Sequence, residues 1–396
     1  MKKEQRYRFL FVSAPFSGIE VYVKNLREIV SQCDEIDAEW IMVEWNPPER
    51  LAKLPPFSLN WTLKASYVVQ SRIRNLERAG HRFDAVFFNN IVLASFLPQF
   101  RKRVPSVFCL DVTPKLINEF KGWYLAGAAR FGAIGAVLKR GLVTNSIYKD
   151  AVSIITWSEL VRESLHTDYH VAREKIDVIP PGVNLRYWTS NGTVKSKGRV
   201  QVLFVGADFS RKGGDLLLAA AKSEKLTNCD FHFVTKNFRG EPRSNVFVYP
   251  NLDPNTDDLK ELYQMADTFA MPTRADFSPN AICEAMACGL PVLSTRVGAI
   301  HEMVVHNKSG LLVDVDDDTA LAQALTKLVE SPQLRRTMGE AGRQLAHEKF
   351  DMQKNAKRVL NKMKDVSDRS PERHKLSQQE LDAISTKSDT NHEGCN

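Results

Sequence analysis

The chain is predicted to be an α/β protein of two doubly wound domains, each a parallel sheet flanked by helices, facing one another across a cleft. Three observations point there. At 396 residues it is longer than one hydrophobic core ordinarily serves, given a prior of about 150 residues per domain. Short apolar runs alternate with helical sequence twice over, the alternation that builds parallel sheets. Between the two series, Pro180, Pro181 and Gly182 and then the polar stretch from Thr189 to Arg199 punctuate the chain as turn and linker residues do.

The first series opens with RFLFVSAP (Arg8 to Pro15), a small loop at Ser17 and Gly18, and a helix from about Ile19 to Val30. The apolar runs AEWIMVEW, FDAVFFNN, VPSVFCL and SIITWS follow as strands, separated by helical or loop sequence. The second series begins at VQVLFVGAD (Val200 to Asp208) and continues through DFHFVTK, NVFVYP, TFAMPT and PVLSTR. Helices are then predicted from about Thr319 to Glu330, from Pro332 to Lys349, and onward to about Val366. The expected organisation is a first domain over residues 1–190, a linker at 191–199, a second domain over 200–348, a closing helix at 349–366 and a tail at 367–396. The tail has almost nothing apolar to bury and is expected to be flexible. In such a fold a ligand sits beyond the carboxyl ends of the strands, where the loops after the first strand and after Val205 point.

The most informative stretch is MPTRADFSPNAICEAMACGLPVLSTRVG (Met271 to Gly298), in which Asp276 and Glu284 lie eight residues apart across a strand-to-helix junction. Ser278 is predicted as the N-cap and Pro279 as the first helical residue, because Ser can bond an orphan amide and Pro has no N–H to lose there. Good helix formers then run to Gly289, with Pro291 close behind, which is a stop signal. Glu284 is therefore placed about one turn inside the helix. Upstream, GADFSRKGGD (Gly206 to Asp215) sets Arg211, Lys212 and two glycines at another helix entrance. Backbone amides and the helix dipole favour anions at such a place, so the pattern fits a phosphate site; taken alone, it also fits an exposed basic turn.

Composition narrows the class. A hydrophobic fraction of 43% with 26% charged residues is ordinary for a globular protein. The six cysteines are scattered without CxxC spacing and no secretory signal opens the chain, so a reducing cytoplasm is expected, with Cys283 and Cys288 as packing residues. No apolar run reaches the roughly 18 residues needed to span a bilayer. The net charge of +7 is concentrated between residues 51 and 150, where Lys and Arg number 15 against 5 Asp and Glu. That excess, with the patch KGWYLAGAARFGAIGAVLKR, suggests peripheral contact with an anionic membrane, or else a solvated basic face. No aromatic-interleaved nucleic-acid motif accompanies it, so no nucleic-acid partner is expected. Neither GxGxxG nor GxxxxGK[ST] is present, which argues against a dinucleotide-dependent dehydrogenase and a Walker-type nucleotide site. The acidic run Asp314 to Asp318 directly precedes a helix and is read as its cap and first-turn charge rather than as a metal site.

Taken together, VGADFSRKGGDLLL, DFSPNAICEAMACGLPVLSTRVG and HNKSGLLVDVDD closely resemble the donor-binding half of glycosyltransferase family 4, retaining enzymes of the two-Rossmann-domain GT-B fold. WSELVRESL and KIDVIPPGVN resemble its interdomain region. The resemblance covers about residues 8 to 366 and implies a C-terminal helix returning toward the first domain. It further implies that Lys212, with Arg211, holds the diphosphate of a nucleotide-sugar donor, that Glu284 accepts hydrogen bonds from the ribose, and that Asp276 contacts the sugar. The family's E-x7-E motif has Asp in its first position here. Asp276, Pro279 and Asn280 instead agree with a D-N-x-P-N variant, and Ala207 stands where the family usually has Arg.

In the first domain, Ser17, Gly18 and Glu20 resemble the family's G-G-x-E loop, with Gly18 either a donor contact or a plain turn residue. Asp111, in LDVTP, either orients an acceptor hydroxyl or forms an Asx-type turn before Pro114. His301, where the family often has Pro before Glu302, is expected to cap a loop. The implied function is a metal-independent, retaining hexosyl transfer, without a cofactor, from a nucleoside diphosphate sugar to a hydroxyl acceptor in glycan, polysaccharide or glycolipid biosynthesis. The alternative is a nucleotide-sugar or phosphate binding protein of the same fold that has lost catalysis.

Overall fold

The structure is a computed structural model that describes residues 6–14, 18–55, 57–124, 144–190, 198–241 and 243–370. Ser17, most of the basic apolar patch between 121 and 140, most of the expected linker and the tail beyond 370 lie outside the described residues.

The first sheet holds β1 (Tyr7–Ser13), β2 (Ile36–Met42), β3 (Ala85–Phe88), β4 (Ser106–Leu110), β5 (Ser153–Thr156) and β6 (Ile176–Val178), in the order β2-β1-β3-β4-β5-β6. The second holds β7 (Val200–Val205), β8 (Cys229–Val234), β9 (Val246–Tyr249), β10 (Thr268–Met271), β11 (Val292–Thr295) and β12 (Gly310–Val313), in the order β12-β11-β10-β7-β8-β9. All recorded neighbours run parallel. Parallel strands need helical crossovers that cover both faces, which is why the central strands carry uninterrupted apolar runs such as the buried Phe9 to Val12 and Phe269 to Met271.

Each sheet is one strand wider than the sequence alternation predicts. The additional strands, β6 and β12, are the outermost ones on one side of each sheet. β6 has three residues and runs into Pro180 and Pro181, while β12 opens on Gly310 after a turn. Their short length and the turn residues beside them hide them from a pattern search.

Strand order places the cleft. The first sheet reverses direction between β1 and β3, the second between β7 and β10. At such switch points adjacent crossovers leave on opposite faces, so the loops at the carboxyl ends part and leave a crevice.

The first sheet is covered on one face by a core built around Leu10, Val12, Phe88 and Phe108. On the other face Phe9, Phe11 and Phe87 pack with the helix Gly18–Val30 and with the last described helix, Met352–Asp368. That last helix departs from the second domain and lays Met352, Val359, Leu360, Met363 and Val366 on the first. Its charged edge is fixed by Lys362 to Asp177 at 2.9 Å and by Arg358, whose Nη2 donates to the Val178 carbonyl at 2.9 Å. Beside it the chain crosses between domains a second time: the Val183 N–H donates to Phe350 O at 2.9 Å and the Met352 N–H to Val183 O at 3.2 Å. The C-terminal helix thus returns to the first domain, as the resemblance implies. Among the described residues, no helix is long and apolar enough to cross a membrane.

Candidate functional site

The loops after β7 and β10 flank the switch point of the second sheet, and the chain forces them together. Gly213 has φ +78°, and a Cβ there would lie 1.9 Å from the Pro272 carbonyl oxygen, so only glycine seats one loop on the other. The Arg274 N–H donates to Arg211 O at 2.8 Å, and Arg211 Nη1 donates to Ala275 O at 2.7 Å. The Arg274 guanidinium binds both oxygens of Asp215 and reaches Asp316 at 2.6 Å. The two loops therefore form one rigid ledge.

On this ledge the buried Lys212 ammonium contacts Oδ2 of Asp276, with Arg211 Nη1 at 4.0 Å from the same oxygen. Oδ1 of Asp276 accepts from the Phe277 N–H at 2.9 Å. Burial, and after it the Arg211 charge, pull the Lys212 ammonium down from its ordinary value, while Asp208 opposes them. An opposite charge seated against an ammonium acts in the other direction, and the Asp276 carboxylate is so placed. Both Asp276 oxygens are thus engaged within the protein; the carboxylate points at the Lys212 cation rather than standing open for a sugar.

The helix that follows runs Asn280–Ala287, one residue later than expected. Pro279, with φ −71° and ψ 120°, is its N-cap and Asn280 its first residue, and no side chain caps it. The segment is held extended because Asp276 takes the Phe277 N–H and because Gly298, at φ +55°, rests against the Asp276 carbonyl, where a Cβ would lie 2.0 Å from the oxygen. Several other helices are capped by side chains, as by Asn60, Thr256, Asp317 and Ser331. Here no side chain takes the first-turn amides, and the Ile282 N–H donates to the Pro279 carbonyl at 3.1 Å. Asn280 also meets the first domain: its Nδ2 donates to the carbonyl of Gly18 at 3.3 Å. Gly18 opens the helix Gly18–Val30, so the positive ends of two helices face one another across the cleft.

Glu284 lies within the helix, 5% exposed, with Oε2 accepting from Tyr263 Oη at 2.8 Å. Burial pushes its pKa up to about 7, against the Tyr263 hydrogen bond that favours the charged form. Tyr263 is fully buried and stacks edge-on against Trp188 at 5.1 Å. Cys283 and Cys288 are buried, with burial raising the Cys283 thiol. They pack the same helix into the core.

In the first domain, Asp111 follows the last residue of β4 at the carboxyl end of the sheet. Removal from water pushes its pKa up to about 6, opposed by hydrogen bonds from its own N–H and that of Val112. His301 is exposed on a short helix, Ile300–Met303, and not in a loop. Within the acidic run, Asp317 caps its helix by accepting from the Ala320 N–H at 2.8 Å and Asp316 pairs with Arg274. Three residues not anticipated from the sequence belong to the site's frame: Tyr263 behind Glu284, Arg274 between the loops, and Glu302, whose carboxylate reaches the first domain.

Comparison with known proteins agrees with the two-domain α/β fold. Residues 16–187 match the family model described as Glycosyltransferase Family 4, and residues 189–345 match Glycosyl transferases group 1. An uncharacterized glycosyltransferase of Methanocaldococcus jannaschii is 26% identical over 250 residues, covering 60% of this chain and 67% of that protein. A D-inositol 3-phosphate glycosyltransferase of Pseudarthrobacter chlorophenolicus is 27% identical over 224 residues, covering 51% and 53%. The chain spans about half the length of most such curated relatives. Among solved structures, sucrose-phosphate synthase of Thermosynechococcus elongatus superposes with a TM-score of 0.72 at 18% identity, covering 91% of this chain and 99% of that one. The Anabaena protein HepE in complex with UDP and glucose superposes with a TM-score of 0.65 at 18% identity, covering 91% and 100%.

The buried carboxyl yields a pH-dependent prediction. A folded pKa of about 7, above the ordinary 4.5, means that the neutral form suits the fold. The stability associated with it is complete below about 4.5 and is lost as pH rises through about 7. Replacement Glu284→Gln removes that loss, so the melting temperature of the variant should gain on the unmodified protein between about pH 4.5 and 7 and then hold a constant lead. Parallel melting curves across that window would contradict the assignment.

Proposed function

The chain belongs to the glycosyltransferases that join a family 4 segment to a group 1 segment. On that premise we propose that it transfers a hexose-type sugar from a nucleoside diphosphate donor to a hydroxyl acceptor, with retention at the anomeric carbon. What carries the reading is the meeting of Lys212, Arg211 and the uncapped helix start at Asn280 with the helix start at Gly18. A structural neighbour bound to UDP and glucose supports an activated hexose as donor.

The chemistry follows from where charge develops. As the bond from the anomeric carbon to the diphosphate oxygen breaks, the diphosphate gains negative charge; the acceptor oxygen bonds to the same face of the sugar and its proton passes to the departing phosphate. Lys212, Arg211 and the two helix ends stabilise that charge in a site shielded from water, without a metal ion. For this, Lys212 must turn from Asp276 to the phosphate. Asp276, thus released, accepts from sugar hydroxyls, and this exchange ties diphosphate recognition to sugar recognition. Tyr263 occupies Oε2 of Glu284, so Oε1 serves the ribose. Pro279 and Asn280 shape the mouth of the phosphate site, and Asp111 orients the acceptor hydroxyl. Domain closure limits hydrolysis of the donor.

The acceptor is proposed to be a glycan or lipid-linked glycan presented at the inner face of a membrane. Trp45, Leu51 and Leu54 are at least half exposed beside Arg50 and Lys53, and Trp45 stacks on Trp61 at 5.1 Å. An aromatic and aliphatic patch with basic neighbours suits an anionic lipid surface.

Replacing Lys212 with Ala should reduce transfer by a factor of about a hundred or more, the scale of losing one electrostatic group at a developing anion; it should also lower the melting temperature, because the Asp276 carboxylate loses its partner, so activity is assayed well below that temperature. Wild-type turnover in that variant, assayed with UDP, GDP and ADP sugars, would sink the site assignment. For the membrane, the protein should sediment with phosphatidylserine vesicles at low salt and lose this in the Trp45→Ser, Leu54→Ser variant. Equal recovery in the supernatant with and without vesicles would reject the contact.

A further inference from the structure

Glu302 belongs to the second domain, yet its carboxylate sits on the first. Oε2 accepts from the Glu159 N–H at 2.7 Å and Oε1 from the Leu160 N–H at 2.8 Å. These amides open the helix Glu159–Tyr169, whose cap Ser158 takes only the Val161 N–H, at 3.3 Å. The first two amides of a helix have no intrahelical acceptor, and they carry the positive end of its dipole. A carboxylate holding both makes two charge-assisted bonds in fixed directions. Rotation of one domain on the other by a few degrees would break at least one of them.

The packing around this contact is open. A cavity of about 270 Å³ lies at the same seam, between Trp157, Glu159 and Pro180 on one side and Ser278, Glu302 and Met303 on the other. Apolar contact there leaves room for several arrangements, so the directional bonds select among them. On its other side Glu302 is coupled to the ledge. Its N–H donates to Ala299 O at 3.0 Å, the Ala299 N–H donates to Phe277 O at 3.2 Å, and Gly298 rests on the Asp276 carbonyl. Phe277 itself enters the first domain's core, with its ring edge-on to Phe120 at 5.4 Å.

We infer that Glu302 is a positioning residue: it sets the angle between the domains and so registers Gly18 and Asp111 of the first against the Asp276 ledge of the second. The consequence for catalysis rests on the transferase reading, whereas the consequence for domain geometry does not. Nucleoside diphosphate binding draws mainly on the second domain and should be spared.

The test uses the full chain with Glu302→Ala and Glu302→Gln. Calorimetry with UDP, GDP and ADP should show diphosphate affinity within about twofold of the unmodified protein, while kcat for transfer falls by about tenfold or more, the scale of one lost charge-assisted bond. Small-angle X-ray scattering should show a changed radius of gyration for the Ala variant. Gln retains one acceptor oxygen and should restore part of both readouts. Unchanged scattering and kcat in the Ala variant would overturn the inference. Changed scattering in a protein that binds no diphosphate and transfers no sugar would uphold the hinge contact and overturn the transferase reading instead. Should the Ala variant fail to fold, the Gln variant carries the same comparison: an intermediate kcat and scattering profile supports the inference, and wild-type values overturn it.

Discussion

The buried pairing of Lys212 with Asp276 is the contact around which the site is organised. Two charges removed from water are tolerated only when each satisfies the other and the remaining polar atoms find partners. Arg211, the Phe277 amide and the interlocked loops supply those partners. The same burial that makes the pair costly makes it responsive, because a diphosphate arriving at the helix start offers Lys212 more negative charge than one carboxylate does. On the proposed function, substrate binding is an exchange of partners within a preformed ledge, without construction of a new site.

That exchange depends on backbone geometry set far from the charges. Gly213 and Gly298 let three loops touch, and strand order puts the loops at the one place in the second sheet where they part. The first domain contributes a facing helix end and a desolvated Asp111, and it is brought into register by Glu302 and by the helix Met352–Asp368 that crosses back onto it. Each domain is incomplete without the other. The ledge is held by interlocked loops, whereas a cavity opens at the seam between the domains.

Much of this was legible in the sequence. Central strands announce themselves by runs such as FLFV and TFAM, and Lys212, Asp276 and Glu284 stand out because charge is placed at loop-to-helix junctions. The edge strands Ile176–Val178 and Gly310–Val313 were not legible, since a few residues beside Pro or Gly look like turns. Tyr263, Arg274 and Glu302 are not legible for a different reason. Tyr263 reads as an ordinary core position of an amphipathic helix and Glu302 as a solvated acid, and their roles arise only from contacts between distant segments. The helix start was misplaced by one residue because Ser278 and Pro279 have good local cap chemistry, yet packing of Gly298 under Asp276 holds the chain extended there. Local propensity is a weak guide where tertiary contacts fix the backbone.

The central claim is that Lys212 passes from Asp276 to the donor diphosphate, and a double-mutant cycle on nucleoside diphosphate affinity tests it most directly. With Lys212 present, Asp276→Asn should tighten binding of the free diphosphate, because the competitor for the ammonium is gone. In a Lys212→Ala background the same substitution should have almost no effect. An equal gain in both backgrounds would mean that Asp276 acts only by general repulsion, and it would contradict the exchange.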